Sequence, residues 1–156
     1  MRIRRAHESE ASVLSALAVE AKRLWGYSSD DMERWRPLLA ICAHDIASKT
    51  TFVAEIENEV VGFYLIVPAA QAWQLEHLWV SPRCARRGIG RALLAHAANV
   101  ASLAGASSIN IDADPNAEPF YVACGGVRQG IVLAPIAGHP ERFRPQLSLQ
   151  VTNRAA

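Results

Sequence analysis

The spacing of the apolar residues changes character near Thr50, and no other feature of the chain restricts its fold as much. Before that point the spacing is helical. Leu14, Leu17, Ala21 and Leu24 mark one face of a helix over residues 8–24 that Gly26 closes. Ser28 and Ser29 offer an N-cap for a second helix, with Asp30 and Asp31 in its favourable first turn. Pro37 is expected to interrupt that helix, which restarts there with Leu38, Ile41 and Ile46 on its apolar face. After Thr50 the period falls to two. Residues 51–56 and 60–67 read as strands around the polar turn Glu57-Asn58-Glu59, an antiparallel hairpin. A third strand over residues 73–80 sets Leu75, His77 and Trp79 on one face and Gln74, Glu76, Leu78 and Val80 on the other.

Helices and strands alternate in the rest of the chain. A helix over residues 92–103 presents Leu93, Ala97, Val100 and Ala104 on one face, and a strand follows at 107–112. A short helix at 117–124 opens on Asp114-Pro115 and closes on Gly125-Gly126, before strands at 127–133 and 143–151. With a first strand at 1–6, the sum is an α+β chain with about seven strands in a mixed, mostly antiparallel sheet that carries helices. No repeat, low-complexity tract or linker interrupts it, so a single domain over residues 1–156 is expected.

Composition narrows the partners. A content of 51% hydrophobic and 20% charged residues suits one globular core, and a formal net charge of +1 sets up no uniform field for nucleic acid or an anionic membrane. The longest apolar run, residues 60–70, is too short to span a bilayer and contains Pro68. The basic start Met1-Arg2-Ile3-Arg4-Arg5 leads into no apolar signal region, which points to the cytoplasm. Cys42, Cys84 and Cys124 form no CxxC pair and read as reduced, mostly packed residues. His7, His44, His96 and His139 stand singly, so no metal is expected.

The chemistry is concentrated where the third strand runs through a Gly-rich turn into a helix, residues 80–94. A helix start presents unpaired N–H groups and a positive dipole end, and Gly88 and Gly90 let a phosphate approach the main chain. Arg83, Arg86, Arg87 and Arg91 concentrate positive charge there. Read by itself, the stretch is also compatible with a solvated basic turn. It lacks the Gly-Lys-Ser/Thr of a P-loop and the third Gly of a dinucleotide fingerprint. Aromatic residues do not interleave with the basic ones, which argues against a nucleic-acid module.

Leu75-Glu76-His77-Leu78-Trp79-Val80-Ser81-Pro82 through Arg87-Gly88-Ile89-Gly90-Arg91-Ala92-Leu93-Leu94 resembles the acyl-CoA motif of the GNAT superfamily of N-acetyltransferases, Gln/Arg-x-x-Gly-x-Gly/Ala after a strand. Ala85 stands at the Gln/Arg position, where the family chiefly uses a backbone N–H. The similarity extends over residues 1–132. It includes Gly26-Tyr27-Ser28-Ser29 with Trp35, the first hairpin, and Asp114-Pro115-Asn116-Ala117-Glu118-Pro119-Phe120-Tyr121 followed by Gly125-Gly126, where the family often has an aromatic at the last position. The resemblance implies a GNAT-like sheet with helices on both faces and an acetyl-CoA-dependent N-acetyltransferase acting by direct transfer in a ternary complex. Leu78, Trp79 and Val80 would meet the pantetheine arm and thioester; Arg86, Arg87, Gly88, Ile89, Gly90 and Arg91 would hold the pyrophosphate; Asn116 would touch the pantetheine or cap the short helix.

Such a transfer needs a deprotonated amine, a polarised carbonyl and a proton for the leaving thiolate. The resemblance makes Tyr121 the acid, and Glu76, on the strand face of Val80, the base, with His77 or a water relay as rivals. Tyr27, Trp35 and Tyr64, with Trp25 and Phe63 and a loop near His139, are expected to wall the acceptor pocket. The acceptor stays open among small-molecule and peptide amines. A non-catalytic acyl-CoA-binding or sensing domain is the alternative, and a homodimer is compatible with the exposed edge of such a sheet.

Overall fold

Two consecutive left-handed residues, Glu57 (φ 50°) and Asn58 (φ 65°), form the tight turn of the hairpin. Such a turn matches the right-handed twist of its flanking strands. Those strands are β2 (Thr50–Ile56) and β3 (Glu59–Val67), paired antiparallel from Ile56↔Glu59 to Thr50↔Ile66. A computed structural model of the chain describes residues 1–151, so the end of the expected 1–156 domain lies outside the described residues. The remaining strands are β1 (Arg2–Arg5), β4 (Ala72–Val80), β5 (Ser108–Asp112), β6 (Val127–Leu133) and β7 (Phe143–Gln150). Their order is β1-β2-β3-β4-β5-β7-β6, and β4 with β5 is a parallel pair. The fold is α+β, a seven-stranded mixed sheet flanked by helices.

The chain divides into two compact units, Met1–Ile66 with His77–Ala95, and Val67–Glu76 with the chain from His96 on. The first holds α1 (Ala11–Arg23), α2 (Ser29–Leu39) and α3 (Ala43–Ser48), with β1 to β3 and the C-terminal half of β4. Arg4 ties it together, donating to Glu10 before α1 at 2.7 Å and to Glu55 on β2 at 2.7 Å. Its core includes Leu14, Leu17, Val53, Phe63, Tyr64 and Leu93. In the second unit the N-terminal half of β4 pairs with β5, β5 with β7, and β7 with β6, around Ile109, Ile111, Leu147 and Tyr121.

Several expected details differ. Ser28 caps α2 as expected, accepting from the Asp31 N–H at 3.1 Å, but the helix continues through Pro37 to Leu39. A proline so near the end removes one hydrogen bond and leaves little helix to break. Ile41 and Ile46 are buried as expected, but Leu38 is exposed and Leu39 is buried in its stead. Leu24 is likewise exposed and Ala18 takes its place in the core. The fourth helix, α4 (Ile89–Leu103), begins three residues before the expected start at 92 and buries Leu94 and Ala101, while Ala104 is exposed. Cys42 is exposed and Cys84 and Cys124 are half-buried, so these thiols are less packed than expected; none forms a disulfide.

Candidate functional site

The turn between β4 and α4 combines left-handed residues with the start of a helix. Pro82–Cys84 forms one 3₁₀ turn after β4, and Arg86 (φ 61°) and Gly88 (φ 80°) then both take left-handed conformations. A left-handed arginine is strained, and alternating left- and right-handed residues turn successive N–H groups into one concavity that suits an anion. The Ala92 N–H makes the first helical bond, to the Gly88 carbonyl at 3.0 Å, so the N–H groups of Ile89, Gly90 and Arg91 precede the helical ladder. Arg86, Arg87 and Arg91 are exposed beside them, whereas Arg83 is engaged with Glu59 at 2.6 Å. The Ala85 N–H donates to the Pro82 carbonyl at 3.3 Å.

Gly62 on β3 explains how α4 starts where it does. A Cβ there would stand 3.0 Å from Leu93 Cδ1, 3.0 Å from the Trp79 carbonyl oxygen and 3.4 Å from Ile89 Cγ2. Only glycine lets the first turn of the helix press onto the sheet. The Ile89 side chain is buried in this contact, which leaves only its backbone to the turn. The Ser81 N–H, bonded to the Val61 carbonyl at 2.8 Å, marks the end of β4. Leu78, Trp79 and Val80 are half-buried along the strand that delivers the chain to this turn.

The same unit carries an aromatic corner between α1 and α2. Trp25 packs on Trp79 with ring centroids 5.9 Å apart. Tyr27 and Trp35 meet edge to face at 4.7 Å, and the Lys22 ammonium lies 4.4 Å over the Trp35 ring and 5.4 Å over that of Tyr27. The corner thus already holds a cation against two rings. Tyr64, expected on the pocket wall, is fully buried and stacks on Phe52 at 5.5 Å. Both faces of β3 are covered there, so Tyr64 and its neighbour Phe63 are core residues. Burial raises the Tyr64 phenol pKa.

On β4, the Trp79 indole N–H donates to His77 Nδ1 at 3.2 Å. An indole N–H is only a donor, so neutral His77 carries its own proton on Nε2 and its accepting nitrogen is engaged. Glu76 is exposed and belongs to the second unit.

The other expected residues of the second unit sit around α5 (Glu118–Ala123). Asn116 does not cap this helix; its main-chain and side-chain N–H groups donate to Asp114 Oδ1 at 2.8 and 3.0 Å. Tyr121 is buried, and burial, assisted by Cys124, raises its phenol pKa well above the usual tyrosine value. The Tyr121 carbonyl accepts the Gly126 N–H at 2.8 Å, and a Cβ at Gly126 would lie 2.9 Å from that same oxygen. This contact is why glycine stands at that position.

The structure brings Leu78, Trp79 and Val80 into one continuous run with the turn 86–91, and Asn116 into one turn-and-helix with Tyr121. Lys22, Gly62 and Arg142 were not among the expected residues. Lys22 lies a helical turn from Trp25 and a short step from Tyr27, which was the available signal; the others depend on contacts between distant segments. Among the described residues no group of three or more His, Cys, Asp or Glu could hold a metal, and no helix is long and apolar enough to cross a membrane.

The chain is similar in fold to a GCN5-related N-acetyltransferase from Rhodopseudomonas palustris, at 21% identity and a TM-score of 0.75 over 96% of this chain and 94% of that one. The PaiA N-acetyltransferase from Thermoplasma acidophilum, solved in complex with coenzyme A, matches at 17% identity and 0.73 over 96% and 98%. YncA from Salmonella typhimurium, solved with its cofactor acetyl-CoA, matches at 16% and 0.70 over 100% and 96%. No curated protein matches in sequence. The sequence itself matches the Acetyltransferase (GNAT) family over residues 13–125, well over half of its length. The chain belongs to the GNAT family of acetyltransferases.

Proposed function

We propose that this protein transfers the acetyl group of acetyl-CoA to a primary amine of a small molecule or peptide. The observation that carries the reading is the strained turn: left-handed Arg86 and Gly88 lead into a helix start pressed onto Gly62, beside three exposed arginines. Such a turn suits a pyrophosphate, held by the N–H groups and side chains of Arg86, Arg87, Gly88, Ile89, Gly90 and Arg91. Leu78, Trp79 and Val80 would take the pantetheine arm and thioester as an added strand does, with Asn116 as a further contact.

Glu76 is the proposed base. It removes the proton of the attacking amine, directly or through water, as the C–N bond forms. Engagement of His77 Nδ1 by Trp79 favours Glu76 over its histidine rival. Tyr121 is the proposed acid: its raised pKa keeps it protonated, and its proton goes to the thiolate as the C–S bond breaks. Tyr27 and Trp35, with Lys22 lying over them, would wall the acceptor side.

A cytoplasmic setting belongs to this reading, since three free cysteines suit a reducing compartment. So does a homodimer. Edge strand β6 is exposed along its whole length and carries Val127, Ile131, Val132 and Leu133. The loss of the Ala85 N–H to Pro82 favours a second reading, an acyl-CoA-binding domain without turnover.

Calorimetric titration with acetyl-CoA, followed by CoA release against a panel of amines, tests the proposal. Binding with release supports the enzyme. Binding without release on any amine supports the second reading, and absence of binding overturns both.

A further inference from the structure

We infer that Arg142 is a positioning residue, which through its buried pair with Asp114 fixes the orientation of Asn116 and the start of α5 for the acyl donor. The inference rests on the proposed function, in which Asn116 meets the donor and Tyr121 serves as acid. All the groups concerned lie in the second unit.

The loop between β6 and β7 is bonded to itself and rooted at Arg142. Ile136 and His139 exchange both backbone hydrogen bonds, at 3.3 and 2.9 Å, around left-handed Gly138. The Arg142 N–H donates to the His139 carbonyl at 3.3 Å, and the Ala134 N–H to the Arg142 carbonyl at 2.9 Å. From that root the guanidinium donates through Nη1 to the Ala134 carbonyl at 3.0 Å and through Nη2 to Asp114 Oδ2 at 3.4 Å. The loop is therefore internally bonded, and Arg142 joins it to the segment after β5.

Asp114 distributes this contact. Its Oδ2 faces Arg142, while its Oδ1 accepts both N–H groups of Asn116. Its carbonyl accepts the Ala117 N–H at 2.9 Å, and the Ala117 carbonyl accepts that of Tyr121 at 3.3 Å. These two bonds fix the Asn116 amide against the Asp114 carboxylate, so whatever orients Asp114 orients Asn116. The side chains of Arg142 and Asp114 are only 9% and 5% exposed. A buried ion pair stabilises a fold little better than packed apolar residues would, but its directional bonds impose one geometry. That is the property a positioning role uses.

The test measures calorimetric Kd for acetyl-CoA, kcat and melting temperature in Arg142→Lys, Arg142→Gln, Asp114→Asn and Asn116→Ala, and in the double variant Arg142→Gln with Asn116→Ala. Arg142→Gln is expected to raise Kd by about fivefold or more, Arg142→Lys to keep most of the affinity, and Asn116→Ala to add little in the Arg142→Gln background, as coupled residues do. A lowered melting temperature with unchanged Kd and kcat, or fully additive effects in the double variant, overturns the role. If Arg142→Gln does not fold, Arg142→Lys and Asp114→Asn carry the same comparison with Asn116→Ala. A wild-type protein that fails to bind acetyl-CoA overturns the proposed function and this role together; a wild type that binds, with variants that bind equally well, overturns this role alone.

Discussion

Tyr121 remains a phenol throughout the range in which an amine can be acylated, because burial disfavours its ionised form. Tyr121→Phe is expected to lower kcat by about tenfold to a thousandfold, the span of a general acid, with acetyl-CoA affinity retained in calorimetry. Glu76→Gln should remove the acidic limb of the pH–rate profile, and a limb that persists transfers the base to His77 or water. His96 gives a prediction about stability. Burial lowers its pKa from the ordinary histidine value of about 6.5, so between the lowered and ordinary values the unfolded chain binds more protons. Its contribution is complete above about pH 6.5 and is lost as the pH falls, so His96→Gln should flatten the decline in melting temperature from pH 7 to pH 5. At this scale the sequence was informative where a residue's neighbours in the chain decide its environment. The Ser28 cap is of that kind. Tyr64 is not, since alternation along β3 says which face a side chain points to and nothing about whether that face is covered.

Two glycines hold functional elements at their heights above the sheet. Gly62→Ala would drive a Cβ against the Trp79 carbonyl and Leu93, displacing the first turn of α4. Overpacking of this kind costs about 1–3 kcal/mol. The expected readings are a lower melting temperature together with weaker acetyl-CoA binding. Gly126→Ala would press on the Tyr121 carbonyl, and is expected to lower kcat more than it weakens donor binding. Strand order apart, most elements were legible as runs: β6 spans the expected residues 127–133, and α5 lies inside its Asp-Pro and Gly-Gly borders. Errors arose where a local rule met tertiary packing. Pro37 was tolerated because α2 was about to end, and α4 gained a turn because Gly62 gave Ile89 a place to pack. The parallel register of β4 and β5, from Ala72↔Ser108 to Leu75↔Ile111, joins residues far apart in the chain and leaves no trace in periodicity.

At the scale of the whole molecule the open question of assembly turns on β6, which combines exposed apolar side chains with the outer position in the sheet. Native edge strands are usually protected by charge or proline, and β6 has Arg128 as its one charged residue, already bonded to Glu118. Light scattering after size-exclusion chromatography is expected to give a dimer that Ile131→Lys with Leu133→Lys converts to a monomer; a wild-type monomer at every concentration removes the dimer from the reading. The thiols of Cys42, Cys84 and Cys124 bear on how the enzyme is assayed. A disulfide reagent that counts released CoA also titrates the protein through its own thiols, exposed Cys42 and half-buried Cys84 and Cys124. An apparent burst proportional to enzyme concentration would then arise with no acceptor present, and turnover is read only from the thiol that continues to accumulate after the protein's own has been consumed.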